Sequence, residues 1–257
     1  MEPMPLIFFR LLPYLALAVF VLGLGARIWR WLRAPVPFRT PLTPAAGTSV
    51  GGALLLAKRA LVWPDLARSN PWLWLGAGAF HLCLLLTVIR HLRYFLEPVP
   101  VWVTALQTPG LWAGYALLPC LLFLLLRRLW HPVLRIACPV TDYLPLVLLL
   151  GLAVSGVCLR LALRPDVAAV KMHMLALLRG DFSPLPDPSG LFWLHFGFVS
   201  ALLIVFPFTK LVHGLAVWLN PVLNLVDNVR RKRHLNPWRE SLLPGSASSP
   251  KHPGPNP

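Results

Sequence analysis

The sequence predicts an all-α polytopic membrane protein with five transmembrane helices. Of its 257 residues, 57% are hydrophobic and only 13% are charged, whereas soluble globular chains carry about 45–50% apolar and about 25% charged residues. The excess apolar surface must face something other than water. Five apolar stretches reach the ~20 residues that a bilayer-spanning helix needs.

Each apolar stretch is predicted to be one span. The spans cover residues 6–26, 72–96, 111–129, 143–163 and 191–219. The first is interpreted as an uncleaved helix, because no basic region precedes it and its apolar run is too long for a signal peptide. The last is interrupted by Pro207 and Lys210 and is expected to end at Asn220-Pro221, since proline lacks the helical donor.

The remaining segments complete the predicted organisation. Residues 34–71 form a proline-rich connection with a turn at Gly51-Gly52 and a short interfacial helix at 53–63. A basic cytoplasmic segment and a Pro-, Gly- and Ser-rich tail, predicted to be disordered, end the chain. The predicted domains are a first transmembrane helix at 1–33, the connection at 34–71, a bundle at 72–220, the basic segment at 221–243 and the tail at 244–257.

The charge distribution indicates a membrane partner and excludes nucleic acid. The formal net charge is +15, but Lys and Arg lie mostly at the ends of apolar spans and not on a soluble face or arm. Cytoplasmic connections carry an excess of Lys and Arg, and the richest stretches here are 27–68, 127–135 and 230–239. This pattern predicts an N-terminus outside and a C-terminus inside.

The four cysteines do not predict covalent haem attachment. Cys83, Cys120, Cys138 and Cys158 occur singly. The sequence has no Cys-x-x-Cys-His motif of c-type haem and no Cys-x-x-Cys dithiol. A cysteine in an apolar run typically acts as a small buried hydrophobic side chain.

Four of the eight histidines fall within only two of the five spans. His81 and His91 lie on the second span, and His195 and His213 lie on the fifth. Ionisable groups in a membrane are costly and usually face a bundle interior or a functional site. Neutral imidazole is a common axial ligand of haem iron, and a haem held by two histidines needs one from each of two facing helices.

The order of these histidines predicts their partners. The two spans are antiparallel, so His81 pairs with His213 toward the cytoplasm and His91 pairs with His195 toward the outside. At ~1.5 Å per residue, the steps are about 15 Å on the second span and about 27 Å on the fifth. Helix tilt and a kink at Pro207 are expected to absorb the mismatch. The alternative is that the histidines are satisfied core or interface residues, which is usual for a lone membrane histidine.

The histidine spacing carries a family resemblance. A pair ten apart on the second span and a pair eighteen apart on the fifth resembles the respiratory nitrate reductase gamma-subunit family of five-span di-haem b cytochromes, over about residues 72–220. The stretch Asn224-Leu-Val-Asp-Asn-Val-Arg-Arg-Lys-Arg-His-Leu-Asn-Pro-Trp238 resembles one branch, the membrane cytochrome b subunits (DsrM) of the sulfite-reductase-associated membrane complex of sulfur-metabolising bacteria.

The resemblance implies cofactors, partners and a location. It implies two haems b, with His91 and His195 ligating the outer iron and His81 and His213 the inner iron. Quinone or quinol is the implied substrate near the outer haem. A cytoplasmic iron–sulfur subunit, similar to heterodisulfide reductase, is the implied partner near the inner haem, with further subunits of a membrane redox complex. The implied location is the inner, cytoplasmic membrane of a bacterium.

The predicted quinone site departs from the family pattern. Nitrate reductase members place a lysine near the outer haem at the quinol pocket, and this chain has no lysine between Lys58 and Lys171. Arg93 and Glu97 follow His91 and are candidates for handling a proton or a quinone oxygen. Guanidinium groups match carboxylates well. Candidates for contacts with haem propionates are Arg90, Arg160 and Arg164. For all of these residues, the alternative is an ordinary charged helix end.

The sequence therefore predicts an electron-transfer subunit of a quinone-dependent oxidoreductase complex. This di-haem b cytochrome joins the quinone pool to a cytoplasmic iron–sulfur subunit in sulfur metabolism. One alternative is the quinol-oxidising cytochrome b of a nitrate reductase or another respiratory complex. An alternative of another class is a haem-free transporter or membrane scaffold, in which the histidines line a proton or metal path.

Overall fold

The computed structural model describes residues 4–34, 49–181 and 189–219. These residues form helices and the turns between them, with no strand in the described ranges. The predicted all-α class is confirmed. The predicted segments at 221–243 and 244–257, and the predicted end of the fifth span at Asn220-Pro221, lie outside the described residues.

The number of predicted spans is also confirmed. Five helical stretches of the described chain are long and apolar enough to cross a membrane: Leu11–Arg33, Pro71–Tyr94, Gln107–Trp130, Val140–Leu163 and Gly190–Phe208. The α-helices are α1 (Met4–Arg33), α2 (Ser49–Leu61), α3 (Pro64–Ser69), α4 (Pro71–His91), α5 (Val101–Ala105), α6 (Gln107–Trp130), α7 (Pro132–Ala137), α8 (Leu144–Cys158), α9 (Val167–Leu178), α10 (Gly190–Val205) and α11 (His213–Ala216).

Large apolar side chains point outward along the spans. Leu22 is 71% exposed and Leu75 is 57% exposed, and Val147 and Leu194 are also more than half exposed. Apolar surface in water costs roughly 25 cal/mol per Å², so a bundle with this outer face is suited to lipid. The chain is a multi-pass membrane protein by length, composition and surface.

All four connections between the spans contain short α-helices in their described parts, and one predicted turn is wrong. The short helix predicted at 53–63 is α2, and it begins early enough to include Gly51 and Gly52. The neighbouring Ala and Leu residues favour the helix and outweigh the ~1 kcal/mol cost of each glycine. Residues 49–58 of α2 belong to a second unit of the chain. Between the fourth and fifth spans, Asp166 caps the 12-residue α9 by accepting a hydrogen bond from the Ala168 amide at 2.8 Å.

The helices of the bundle are packed as a series of neighbours. α4 packs on α6, α6 on α8, α8 on α10, and α10 on α1. A core of Phe80, Leu117, Leu121, Leu149 and Ala153 joins α4, α6 and α8. Within the described residues, α4 and α10 have no comparably extensive backbone contact. α4 and α10 are therefore not packed against each other along their length as the neighbouring helices are.

Close packing of α4 on α6 depends on Gly110. A Cβ atom at this position would lie 2.8 Å from the Arg90 Cβ and 2.9 Å from the Leu86 carbonyl oxygen. The carbonyl belongs to a hydrogen-bonded helix and is not free to move aside. In contrast, a Cβ at Gly114, one turn along the same helix, would meet only the Thr87 Oγ1 at 3.9 Å.

We predict that Gly110→Ala destabilises the bundle and that Gly114→Ala does not. Forcing extra atoms into a filled interface typically costs about 1–3 kcal/mol. The thermal unfolding midpoint of the detergent-solubilised protein should therefore fall for the first variant and stay near wild type for the second. Equal midpoints for both variants would contradict the packing of these two helices.

Candidate functional site

The four histidines predicted to lie on the second and fifth spans meet as two pairs. His213 lies in α11, five residues beyond the fifth span at Gly190–Phe208, so the predicted span 191–219 is too long. The rings of His81 and His213 have centroids 5.8 Å apart with planes at 82°. The rings of His91 and His195 have centroids 6.5 Å apart with planes at 17°. The partners are those predicted from the antiparallel order of the spans. The pairs lie about 15 Å apart along α4, at ~1.5 Å per residue.

Main-chain carbonyl oxygens anchor three of the four rings. The Nδ1 atom of His81 lies 2.7 Å from the Ala77 oxygen, that of His91 lies 2.7 Å from the Thr87 oxygen, and that of His213 lies 2.9 Å from the Lys210 oxygen. A carbonyl only accepts hydrogen bonds, so each Nδ1 carries the proton. The lone pair of each neutral ring is then on Nε2, which is the atom left to bind a metal.

The fourth ring is anchored from another helix. The Nδ1 atom of His195 on α10 lies 2.8 Å from the hydroxyl oxygen of Ser155 on α8. Ser155 is 3% exposed. A Cβ atom at the following residue, Gly156, would lie 3.2 Å from the Cε1 atom of His195, so glycine there lets the ring approach α8 closely.

The ring separations fit a metal held between two imidazoles. An imidazole nitrogen binds a metal at about 2.0–2.1 Å, which places two rings on opposite sides of one metal with centroids roughly 6 Å apart. The separations of 5.8 Å and 6.5 Å are near that value. In the described chain, no group of three or more His, Cys, Asp or Glu side chains comes together as a metal site. A haem would need only the two imidazoles of one pair from the protein, because the porphyrin would supply the other four nitrogen ligands.

A break in the fifth span positions His213. α10 ends at Val205, a turn covers Phe206–Phe208, Thr209 is extended with φ −114° and ψ −179°, and a second turn covers Lys210–Val212. Proline removes a helical donor, so the predicted interruption at Pro207 is confirmed. The change of chain direction accounts for the mismatch between a ten-residue and an eighteen-residue step.

Two contacts from other spans hold this broken segment. The Arg27 guanidinium on α1 donates to the Pro207 carbonyl oxygen at 2.7 Å and is 3.4 Å from that of Thr209. The Lys210 Nζ atom is 2.6 Å from the Asp142 Oδ2 atom, at the start of the fourth span. Because the Lys210 carbonyl anchors His213, both contacts stabilise the backbone that carries the His213 ring.

Arginines gather beside the His91/His195 pair. Arg90 is within electrostatic range of Arg93 and Arg160. The Arg90 Nε and Thr87 Oγ1 atoms are buried and have no hydrogen-bond partner among the described residues. A small cavity of about 70 Å³ adjoins Arg90 and is lined by Arg90, Arg93, Val99, Val103, Thr104 and Gln107. A buried unpaired guanidinium nitrogen is costly, so this cluster suits an anionic group such as a haem propionate.

The other two predicted polar candidates have different surroundings. Glu97 forms an ion pair with Lys171 of α9, and their side chains are 59% and 21% exposed. The first lysine after Lys58 in the sequence therefore reaches the same end of the bundle as His91. Arg164 is exposed and has a left-handed backbone, φ 42°, where the fourth span ends.

Sequence reasoning missed Ser155, Gly156 and Trp63. The Trp63 ring lies 5.0 Å from the His81 ring, on the connection before the second span. The signal for the first two was the small-residue stretch Gly151 to Gly156 in an otherwise bulky span, because small residues allow close helix approach in membranes. His173, in the connection between the fourth and fifth spans, is buried in α9 with its ring 6.4 Å from that of Trp193.

Comparison with known proteins identifies the family. A family model described as the nitrate reductase gamma subunit matches residues 65–234. The chain belongs to the nitrate reductase gamma subunit family. Two relatives are cytochrome b-like subunits of an Hdr-like menaquinol oxidoreductase. That of Archaeoglobus fulgidus is 30% identical, covering 93% of this chain and 85% of the relative. That of Archaeoglobus profundus is 33% identical, covering 90% and 82%.

We predict that Arg27→Leu destabilises this gamma-family chain more than Arg30→Leu does. Arg27 donates to carbonyls freed by the helix break, and leaving a buried polar group unpaired costs about 1–3 kcal/mol. Arg30 reaches only the Ala26 carbonyl of its own helix, at 3.4 Å and exposed. The check is thermal unfolding of both purified variants in detergent. A midpoint for Arg27→Leu no lower than that for Arg30→Leu would contradict the bracing role.

Proposed function

We propose that this protein is the di-haem b cytochrome subunit of a quinol-linked membrane oxidoreductase. The observation that carries the proposal is the pair of facing imidazole couples, each near 6 Å between centroids and each anchored through Nδ1. His91 and His195 hold one haem, and His81 and His213 hold the other. When bound, the haems supply reversible one-electron chemistry at two depths of the membrane.

Orientation is part of the proposal. In the described chain, the end that carries His81 also carries Arg127, Arg128 and the basic end of α1. The excess of Lys and Arg at that end supports a cytoplasmic location under the positive-inside rule. The His91/His195 end is then outside, and the N-terminus is outside with the C-terminus inside. We propose the cytoplasmic membrane of a bacterium as the location.

The arginine cluster supports a role in haem binding at the outer pair. Arg90 presents a buried Nε without a partner beside the anchored ring of His91. We assign Arg90, with Arg160 nearby, to the propionates, because guanidinium and carboxylate groups form strong charge-assisted hydrogen bonds. Exposed Arg164 is the weakest of the predicted contacts and is assigned to solvent or lipid head groups.

We assign quinol oxidation to the same end. Arg93 and Gln107 line the adjoining cavity and supply hydrogen-bond donors for a quinol oxygen. Thr104 also lines the cavity, and because its hydroxyl donates to the Val101 carbonyl oxygen at 2.7 Å, it supplies an acceptor. Glu97 follows Arg93 by four residues and forms an ion pair with Lys171. We assign the Glu97 carboxylate as the proton acceptor. Oxidising a quinol releases two protons and two electrons, and the protons leave on the outer side. The names of the Archaeoglobus relatives support menaquinol as the substrate class.

The electron partner is proposed to be a cytoplasmic iron–sulfur subunit. The names of the relatives, Hdr-like menaquinol oxidoreductase subunits, support a heterodisulfide-reductase-like partner and further subunits of a redox complex. His213 is exposed on the cytoplasmic side of the proposed orientation, which favours electron exchange with a docked protein there. The resemblance of the stretch from Asn224 to Trp238 to the sulfite-reductase-associated branch of the family favours sulfur metabolism over nitrate reduction. Co-purification after mild detergent extraction tests the partner.

We predict two haems b per chain, each lost through its own pair of histidines. His91→Ala and His195→Ala should remove the same haem, and His81→Ala and His213→Ala should remove the other. Each change deletes one of the two imidazoles that would hold a haem and leaves the second pair intact about 15 Å away. Pyridine haemochromogen content and redox titration of the purified protein measure both haems.

The matched control is His131→Ala. His131 is exposed just after α6 and belongs to neither pair, so this variant should keep both haems. A wild-type protein without haem would refute the cytochrome and favour a transporter or scaffold. Loss of both haems in each of the four histidine variants would refute the pairing.

We predict that Glu97→Gln slows quinol oxidation without changing haem content. The amide cannot accept a proton, and general acid–base groups typically contribute about 10²–10⁴-fold to rate. Stopped-flow reduction of the haems by a reduced menaquinone analogue measures the step, and a loss of about 10²-fold is expected. Asp65→Asn, at the opposite end of the bundle, is the control and should react as wild type. An unchanged rate in Glu97→Gln would remove Glu97 from the site.

A further inference from the structure

The anchor of His195 differs in kind from the other three. His81, His91 and His213 bond to main-chain oxygens within four residues of themselves. His195 instead bonds to a side chain 40 residues away, the Ser155 hydroxyl on α8. A side-chain hydroxyl and a main-chain carbonyl differ in strength as hydrogen-bond acceptors. A substitution can remove the hydroxyl but not a main-chain carbonyl, so the hydrogen bond of His195 depends on which side chain stands at position 155.

The hydroxyl of Ser155 is held in one direction. Its oxygen is 2.7 Å from the Gly151 carbonyl and 3.2 Å from the Leu152 carbonyl. Both carbonyls can only accept, so the single hydroxyl proton is donated to them. The lone pairs that remain face the His195 Nδ1 atom. The imidazole must therefore donate its Nδ1 proton, and its Nε2 atom is left unprotonated.

Packing keeps this hydrogen bond closed to solvent. Ser155 is 3% exposed, and α8 and α10 are direct neighbours. The absence of a side chain at Gly156 admits the ring. At Gly151, a Cβ atom would lie 2.8 Å from the Phe198 Cζ atom. Gly151 and Gly156 of α8 therefore both allow side chains of α10 to pack closely.

We propose that Ser155 is a positioning residue for the haem ligand His195, and that its hydroxyl sets the reduction potential of that haem separately from the other. The proposal rests on the proposed function. A hydrogen bond accepted from Nδ1–H makes the imidazole a stronger electron donor to its metal. Stronger donation stabilises the oxidised iron and lowers the potential. Removing the hydroxyl acts on one haem only, because no other ring bonds to this serine.

The test is Ser155→Ala in the full-length protein purified in detergent. We expect both haems to remain. We expect the one-electron equilibrium constant for reducing the His91/His195 haem to increase about tenfold, which raises its reduction potential by ~59 mV. The potential of the other haem should not change. Repeating the titration in a His213→Ala background, where only the His91/His195 haem is expected, assigns the shift.

Two further variants separate the hydrogen bond from packing. Ser155→Thr keeps the hydroxyl and should restore the wild-type potential. Ser200→Ala removes a serine of equal burial, 2% exposed, whose hydroxyl donates to the Phe196 carbonyl of its own helix at 3.0 Å. That control should leave both potentials unchanged.

Each outcome of these titrations either supports or overturns the role of Ser155 in setting the potential of the His91/His195 haem. A rise confined to the His91/His195 haem supports the proposal, as does selective loss of that haem in Ser155→Ala with retention in Ser155→Thr. A potential that stays or falls, an equal shift in Ser200→Ala, or loss of both haems would overturn it. A wild-type protein with no haem would defeat the proposed function itself, and haem content distinguishes that result from a failure of this inference.

Discussion

A hydrogen bond from Nδ1 to a fixed oxygen holds each of the four paired histidines, and the orientation of the four rings depends on these bonds. Because a carbonyl or a committed hydroxyl can only accept from Nδ1, the ring is forced into the tautomer with a free Nε2. The rings then face each other near 6 Å between centroids. Without the anchors, the same imidazoles would rotate and protonate at either nitrogen.

The fifth span has to break for both pairs to form. An unbroken helix from His195 to His213 would extend about 27 Å, against about 15 Å between His81 and His91. Pro207 ends the regular hydrogen bonding, and freed carbonyls in a membrane need donors. Arg27 supplies a donor from the first span, while Asp142 holds Lys210 from the fourth. The first span lies outside the histidine-bearing pair but stabilises the bend on which His213 depends.

The pairing of the histidines could be predicted from the sequence, because it follows from span order and direction alone. The break at Pro207 could also be predicted, because proline acts locally. The Ser155 anchor could not, because the contact of α8 with α10 depends on how each helix is rotated, and the small residues of α8 indicate only that something approaches closely. The turn expected at Gly51-Gly52 failed because local helix formers outweighed two glycines.

The cations at the two ends of the bundle have different explanations. Arginines at the His81 end lie at helix ends, where membrane orientation alone accounts for them. In the proposed orientation the His91 end lies outside, where the orientation rule expects few cations, yet Arg93 and Arg160 both lie within electrostatic range of Arg90. Lys171 returns to this end on α9 and pairs with Glu97. Cations that oppose the topological trend, one with a buried nitrogen lacking a partner among the described residues, support the proposal of an anionic cofactor and a proton-releasing substrate at this end.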